Sequence, residues 1–235
     1  MFTLTSNLAD CTRRLDAMIA RQLPYATARA LNDTAAVAKQ GVVAEMVRAF
    51  DRPTPYTLGA FMTRPASKDS LVATVERKQQ AVGRHYLEVE ESGGPRPATA
   101  LEKLMRTQLA YGGILTAVIP ADNARLDKYG NWSSGQRNEV LSALGAMRDS
   151  RSNRSARSLK RKKNPSTFFI PTSGLPPAIY ERTAGGQLQV ILAFTAKVPV
   201  YQPRFNFAEA AQKAALGAFP AFFARRLSEA LATAR

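Results

Sequence analysis

Residues Ile179–Thr195 read IYERTAGGQLQVILAFT, and this stretch decides the fold. Two runs rich in β-branched and apolar residues, Ile179–Thr183 and Gln187–Thr195, flank Ala184-Gly185-Gly186, where glycine supplies the backbone freedom of a tight turn. In the second run Leu188, Val190, Leu192 and Phe194 recur at period two, so one face of the hairpin is apolar and points inward. The hairpin is expected at the centre of an antiparallel sheet.

Working outward, Thr167–Pro171 reads as a neighbouring strand, as does His85–Glu90. Thr57–Arg64 and Leu71–Arg77 flank Pro65–Ser70 as a second hairpin. Helices bracket these strands. Leu4, Leu8, Cys11, Leu15, Met18 and Ile19 mark one face of a first helix, which should stop near Leu23 because Pro24 lacks a donor. A second helix opens at Pro24 and carries Ala28, Leu31, Ala35, Ala38, Val42, Met46 and Ala49, a stripe mostly of alanine that admits another backbone closely. A last helix from about Phe207 bears Leu216, Phe219, Phe223, Leu227 and Leu231, with a kink expected at Pro220. Thr99 with Glu102, and Ser133 with Gln136, have capping-box spacing and open two shorter helices. The class is α+β, an antiparallel sheet or partial barrel packed by long N-terminal and C-terminal helices. Residues 1–235 read as a single domain, with 111–165 as an elaboration between strands.

The most conspicuous charge lies in that elaboration. Between Arg148 and Lys163 stand eight basic residues and one acid, about half of the chain's formal net charge of +15. Arg148, Arg151, Arg154, Arg157, Lys160 and Lys163 recur every third position, and Arg161 and Lys162 thicken the end. On an α-helix a three-residue step slips by roughly 60°, which wraps the charges around the axis instead of aligning them. The interleaved Ser150, Ser152, Asn153, Ser155 and Ser158 compete with helix hydrogen bonding. The run reads as a mobile basic arm that acquires order from a partner, either phosphate or an acidic protein surface. It contains no aromatic residue, so it lacks a stacking platform for single-stranded nucleic acid.

The remaining composition narrows the chemistry. With 45% hydrophobic residues a real core is available, and the excess of 33 basic over 18 acidic residues points to a polyanionic or acidic partner. The single cysteine, Cys11, excludes an internal disulfide and reads as a buried structural thiol. No apolar run reaches membrane-spanning length and no signal peptide opens the chain, so a reducing cytosol is the expected site of synthesis. His85 stands alone as a histidine, which rules out a two-histidine metal site. Glu88 and Glu90 share a face if the segment is a strand, a pairing that could hold a metal or move a proton. An edge strand defended by charge, with Glu91 added, is the commoner arrangement. Neither Gly93-Gly94 nor Gly185-Gly186 has phosphate-loop or dinucleotide-loop spacing. No cofactor, metal or catalytic residue is assigned.

Several tracts resemble a known family. His85–Arg96 resembles a "YL-x-x-(x)-E-G-G-x-R" signature, Leu126–Gln136 resembles "LD-x-YGN-x-S-x-GQ", and Gly174–Thr183 resembles "GL-x-x-G-I-Y-x-R-T". Ala28–Ala35 fits the family's N-terminal helix, and Arg204-Phe205-Asn206-Phe207 precedes a long helix as its "RF-x-F" does. In order along the chain these are similar to phage tail-completion and neck proteins of the minor tail protein Z kind. Two departures are the longer turn Glu91-Ser92-Gly93-Gly94 and the Pro97-Ala98-Thr99 that follows it. The resemblance implies a structural virion protein of the head–tail junction or proximal tail, made in the host cytoplasm, with no catalytic residues. It implies a subunit that forms a ring with its copies and meets portal or adaptor, tail terminator or tail tube proteins around packaged double-stranded DNA, with no membrane partner. Glu88, Glu90, Glu91, Gly93, Gly94, Tyr129 and Trp132 are its candidates for subunit contact. The alternatives are a non-sequence-specific nucleic-acid binder using the 148–163 arm, and a hydrolase using Glu88 and Glu90.

Overall fold

Pro24 does not end the first helix. In the computed structural model, which describes residues 7–78, 86–109, 111, 113–155, 157 and 167–233, α1 runs unbroken over Leu8–Ala49 with Pro24 inside it. The expectation of two helices meeting there is corrected. The proline forfeits one backbone hydrogen bond, its fixed φ still suits a helix, and the cost of roughly 3 kcal/mol is offset by packing. Ala26, Ala30, Val42 and Met46, all downstream, are almost wholly buried. The side chains of Cys11 and Met18 lie outside the described set.

The described elements that follow are α2 (Pro55–Leu58), β1 (Phe61–Arg64), β2 (Thr74–Arg77), α3 (Tyr86–Ser92), β3 (Gly94–Pro95) and α4 (Ala100–Gln108). Then come β4 (Ala117–Pro120), α5 (Ser134–Ala143), a single 3-10 turn (Ser150–Ser152), β5 (Thr167–Phe169), β6 (Ala178–Arg182), β7 (Leu188–Thr195), β8 (Val200–Tyr201) and α6 (Phe207–Thr233). The sequence reading took the chain as one domain. Its contacts group it into two compact units, Met1–Gln79 with Phe205–Arg235, and Gln80–Arg204.

In the first unit α1 and α6 pair antiparallel, with Gly41 against Ala214 and Asp33 against Arg226. A Cβ on Gly41 would lie 2.7 Å from the Ala214 Cβ, so glycine is what allows the helices to approach. Ala28, Ala30, Ala35 and Ala38 are buried, so the alanine stripe serves this unit's own packing. Pro220 sits within α6, which continues to Thr233. The predicted second hairpin forms as the antiparallel pair β1–β2, with Phe61 opposite Arg77, although its first strand begins at Phe61 after the short turn of α2. Asn32 ties the intervening loop to α1. Its amide donates to the Ala66 carbonyl at 3.0 Å and accepts from the Ala66 N–H at 2.7 Å. Phe61 stacks on Phe207 with ring centroids 4.9 Å apart.

In the second unit four antiparallel strands lie in the order β4-β7-β6-β5. The hairpin read from the sequence is β6–β7, and it occupies the two central positions. The sheet is open, not a closed barrel. One bulge breaks the alternation: Ile179 faces Leu192 but Tyr180 faces Val190, leaving Ile191 as the extra residue. A bulge re-aims its side chains, and Ile191 and Leu192 are both fully buried while Leu188 is exposed. Around them cluster Met105 and Leu109 from α4 and its end, Val140 and Leu141 from α5, Trp132 and Phe168. The sheet's core is thus supplied by the two short helices, a role the sequence reading gave to the long terminal ones. Residues 111–165, read as an elaboration, provide β4 and α5 to that core.

A further correction concerns 85–90, expected as a strand. Tyr86–Ser92 is a helix. Leucine and glutamate are good helix formers, and Gly93 at φ +74° closes the helix with its N–H on the Val89 carbonyl, the usual left-handed glycine cap.

Candidate functional site

The tract Leu126–Gln136 folds into a small closed hairpin that delivers the chain into α5. Leu126 pairs with Trp132 across it. Asp127 Oδ1 accepts from the N–H groups of Tyr129 at 2.8 Å and Asn131 at 2.9 Å, an aspartate turn, and Gly130 takes the positive φ of +80° that the reversal needs. Ser133 caps α5, and Gln136, one turn in, is buried. Its Oε1 accepts from Trp132 Nε1 at 2.8 Å and from the Arg125 N–H at 2.7 Å. Gln136 therefore holds the hairpin shut instead of completing a capping box. Trp132 is committed to the unit's own core, a correction to its candidacy for subunit contact. Tyr129 remains half-exposed, with Lys128 Nζ 5.1 Å from its ring centre.

The basic run begins where α5 ends, and its first part is docked, not free. Asp149 Oδ1 accepts from the Arg151 N–H, Asn153 Oδ1 accepts from the Met147 N–H, and Asn153 Nδ2 donates to the Gly145 carbonyl, each within 3.2 Å. Ser142 on α5 binds the run twice: its carbonyl accepts from the Arg154 N–H and its hydroxyl donates to the Ser152 carbonyl. Arg154 turns inward to Glu139, which also faces Arg125 at 3.9 Å. For residues 148–155 the expectation of a mobile arm is corrected, because short polar side chains satisfy the backbone locally. Arg148, Arg151 and Arg157 are exposed and have no ion-pair partner among the described residues. Lys160, Arg161, Lys162 and Lys163 lie outside the described residues.

The carboxylates of α3 do not pair. Residues two apart on a helix point about 200° apart, and Glu88 is exposed while Glu90 is buried. Glu90 instead binds Arg204, with Oε1 accepting from Nη2 at 2.9 Å and Oε2 accepting a shorter bond from Nε. The carboxylate raises the Arg204 guanidinium further above its ordinary range. A Cβ on Gly93 would meet the Pro203 ring at 2.9 Å, so Gly93 and Glu90 both have duties inside this unit. Glu91 is half-buried, and Gly94 faces open space at φ +105°. Neither the charged edge strand nor the rival carboxylate pair read from the sequence forms, because the segment is a helix. His85 lies outside the described residues, and among the described residues no three metal-ligating side chains converge.

Sequence reasoning missed a second charged cluster. Glu102, with its side chain 3% exposed, accepts from Arg96 at 2.7 and 3.2 Å, from the Thr99 N–H and hydroxyl at 2.6 and 2.8 Å, and from the Val118 N–H at 3.0 Å. Burial alone would raise its pKa, but the Arg96 guanidinium and the Thr99 and Val118 donors hold it at about 2. One turn on, Arg106 donates to the Leu115 carbonyl at 2.6 Å and to the Thr116 carbonyl. Glu102 thus takes a backbone N–H of the edge strand β4, and Arg106 holds the two carbonyls that lead into it, so one N–H of that edge is closed to further pairing. Beside them lies a cavity of about 470 Å³ lined by Arg96, Glu102, Arg106, Leu115 and Val198. The signal in the sequence was the Thr99–Glu102 capping box, which forms. Nothing local announced Arg96 or Val118.

Two apolar features belong to the first unit. A groove of about 360 Å³ is lined by Leu31, Ala35, Ala38, Val75, Phe207 and Ala211. Upstream of it on α1, Leu15, Ile19 and Leu23 are 49%, 41% and 38% exposed. Among the described residues no helix is long and apolar enough to cross a membrane. No protein-family profile, curated protein or solved structure matches the chain.

Proposed function

We propose that this chain is a structural subunit of a phage head–tail junction or proximal tail, a tail-completion or neck protein. In this reading copies assemble as a ring around the DNA channel, between portal or adaptor on one side and tail terminator or tail tube on the other. The observation that carries it is how the family-like Leu126–Gln136 tract is used. That tract is a rigid base that opens α5, and the basic run is mounted directly on the end of α5, with Arg148, Arg151 and Arg157 facing outward. Exposed cations without any aromatic readout suit contact with phosphate or carboxylate surfaces whatever their sequence. Rings arise from heterologous contacts that close by rotation, and many modest interfaces then act together.

The test is to produce phage lacking this chain and to image the particles. The expected result is separate heads and tails, with joining restored by the purified chain and a ring at the neck in the restored particles. Normal joining without the chain overturns the reading. The same arginines favour one alternative, a non-sequence-specific nucleic-acid binder. For that function naked duplex binding falls steeply with salt, and replacing Arg148, Arg151 and Arg157 by serine flattens the log–log slope by up to about 2.7 without altering head–tail joining.

A further inference from the structure

We propose that the amino-terminal section of α1 docks its Leu15–Ile19–Leu23 stripe into the α1–β2–α6 groove of a second copy of this chain. The proposal deepens the ring-subunit reading and rests on it for closure of the contact into a ring. At 100° per residue Leu15, Ile19 and Leu23 fall within about 80° of one another, in the same sector as Ala26, Ala30 and Gly41. That sector is the one α6 covers, as the Gly41–Ala214 approach shows. Past Thr233, the last described residue of α6, the stripe continues along α1 with its large side chains exposed. It is an extension of an existing helix–helix interface, and among the described residues of this unit no helix covers it.

The groove has the opposite shape. Its alanines leave a recess between two helices and a strand, open to side chains standing four residues apart on a third helix. The stripe cannot enter the groove of its own chain. Both lie on one unbroken helix, and from Leu23 to Leu31 alone the axis advances about 12 Å. Each copy therefore carries a protrusion that cannot meet its own recess, and another copy supplies the match for both. A contact between two different patches is heterologous, so copies join head to tail and close when the rotation permits.

The test uses the full chain in three forms, with association followed by sedimentation velocity and folding by circular dichroism. Leu15→Glu with Ile19→Glu removes the protrusion at exposed positions. Ala211→Leu fills the recess, with Ala208→Leu, at an exposed position of its lining, as a second variant should the first disturb the fold. Each is expected to raise the concentration for half-association by more than about tenfold with little change in the melting curve. A mixture of the two kinds of variant is expected to form a one-to-one complex, because one intact stripe still meets one intact groove. The proposal is overturned if the wild-type chain stays monomeric, if the Leu15/Ile19 variant associates like the wild type, or if the mixture stays monomeric while the wild type associates. Association of the groove-filled variant alone at the wild-type level also overturns it and marks stripe-to-stripe pairing. Finding the Leu15/Ile19 variant in necks at wild-type level overturns this contact and leaves the neck reading standing. Stripe-to-groove association by a chain absent from particles does the reverse.

Discussion

Arg154 Nη2 stands 3.3 Å from Glu139 Oε1, and only 13% of the arginine side chain is exposed. Of the basic residues that recur every third position from Arg148 to Lys163, this one serves the fold. Arg154→Ser leaves Glu139 with only the distant Arg125 and removes packing on α5, so a loss of about 1–3 kcal/mol is expected. Arg148→Ser and Arg151→Ser should each shift the melting temperature negligibly, as exposed charges do. Thermal denaturation of the three single variants checks this. A triple change at Arg151, Arg154 and Arg157 mixes the two roles and is not neutral for folding, contrary to what the charge pattern alone suggests.

Glu102 should govern the acid limb of stability. Its pKa is about 2 in the folded chain, against an ordinary value of 4.5. A depressed carboxylate contributes stability that is fully present above the unfolded value and is lost as pH falls through the folded one. The contribution is on the order of 3 kcal/mol near neutrality. Denaturant midpoints should show Glu102→Gln well below the wild type at pH 7, with the gap closing between about pH 5 and pH 2. A gap that stays constant down to pH 2 excludes this role.

The bulge in β7 makes neighbours equivalent. Leu192→Ala and Ile191→Ala should each cost roughly 2–5 kcal/mol, since both side chains are fully buried. Gln189→Ala should be nearly silent. Strict alternation predicts that Ile191 behaves like Gln189, so urea titrations of the three variants separate the two registers.

Gly41 should resist the usual rule for helices. Alanine has the better intrinsic propensity by about 1 kcal/mol, yet its Cβ would stand 2.7 Å from that of Ala214. Gly41→Ala is expected to destabilise by about 1–3 kcal/mol through overpacking. Ala214→Gly in the same chain should recover most of it. Additive losses in that double-mutant cycle indicate that the two positions do not touch.

The readable parts of this chain were those whose signal is local. The β6–β7 hairpin declared itself through period two and its glycine turn, and Thr99–Glu102 through capping-box spacing. Leu87-Glu88-Val89-Glu90 alternates as a strand does, but seven residues are too few to separate period two from a helical turn, and Gly93 decided for helix. Pro24 was overread because packing downstream, which offsets its missing bond, is not visible in the segment itself. In the basic run eight like charges suggested disorder, while Asp149, Asn153 and Ser142 were already placed to bind the backbone. Glu102 could be assigned as a cap, but its partners Arg96 and Val118 come from six residues before and sixteen after. Trp132 looked like a surface aromatic within a motif until Gln136 was seen to close on its indole N–H.

Pro24 divides α1 in time as well as in sequence. An isolated helix of the length of residues 8–23 is marginal in water, and its exposed side chains give it little tertiary burial. Beyond the proline, residues such as Ala26, Ala30 and Val42 are locked against the rest of their unit. A residue without an amide proton makes a natural stop for fraying, since unwinding up to it breaks no bond of its own. In deuterated solvent the amides before Pro24 should therefore exchange through a cheap local opening, and those after Ala30 only through opening of the whole unit. A single continuous rod would then report two free energies, and the difference between them measures how much of α1 waits for a neighbour to hold it.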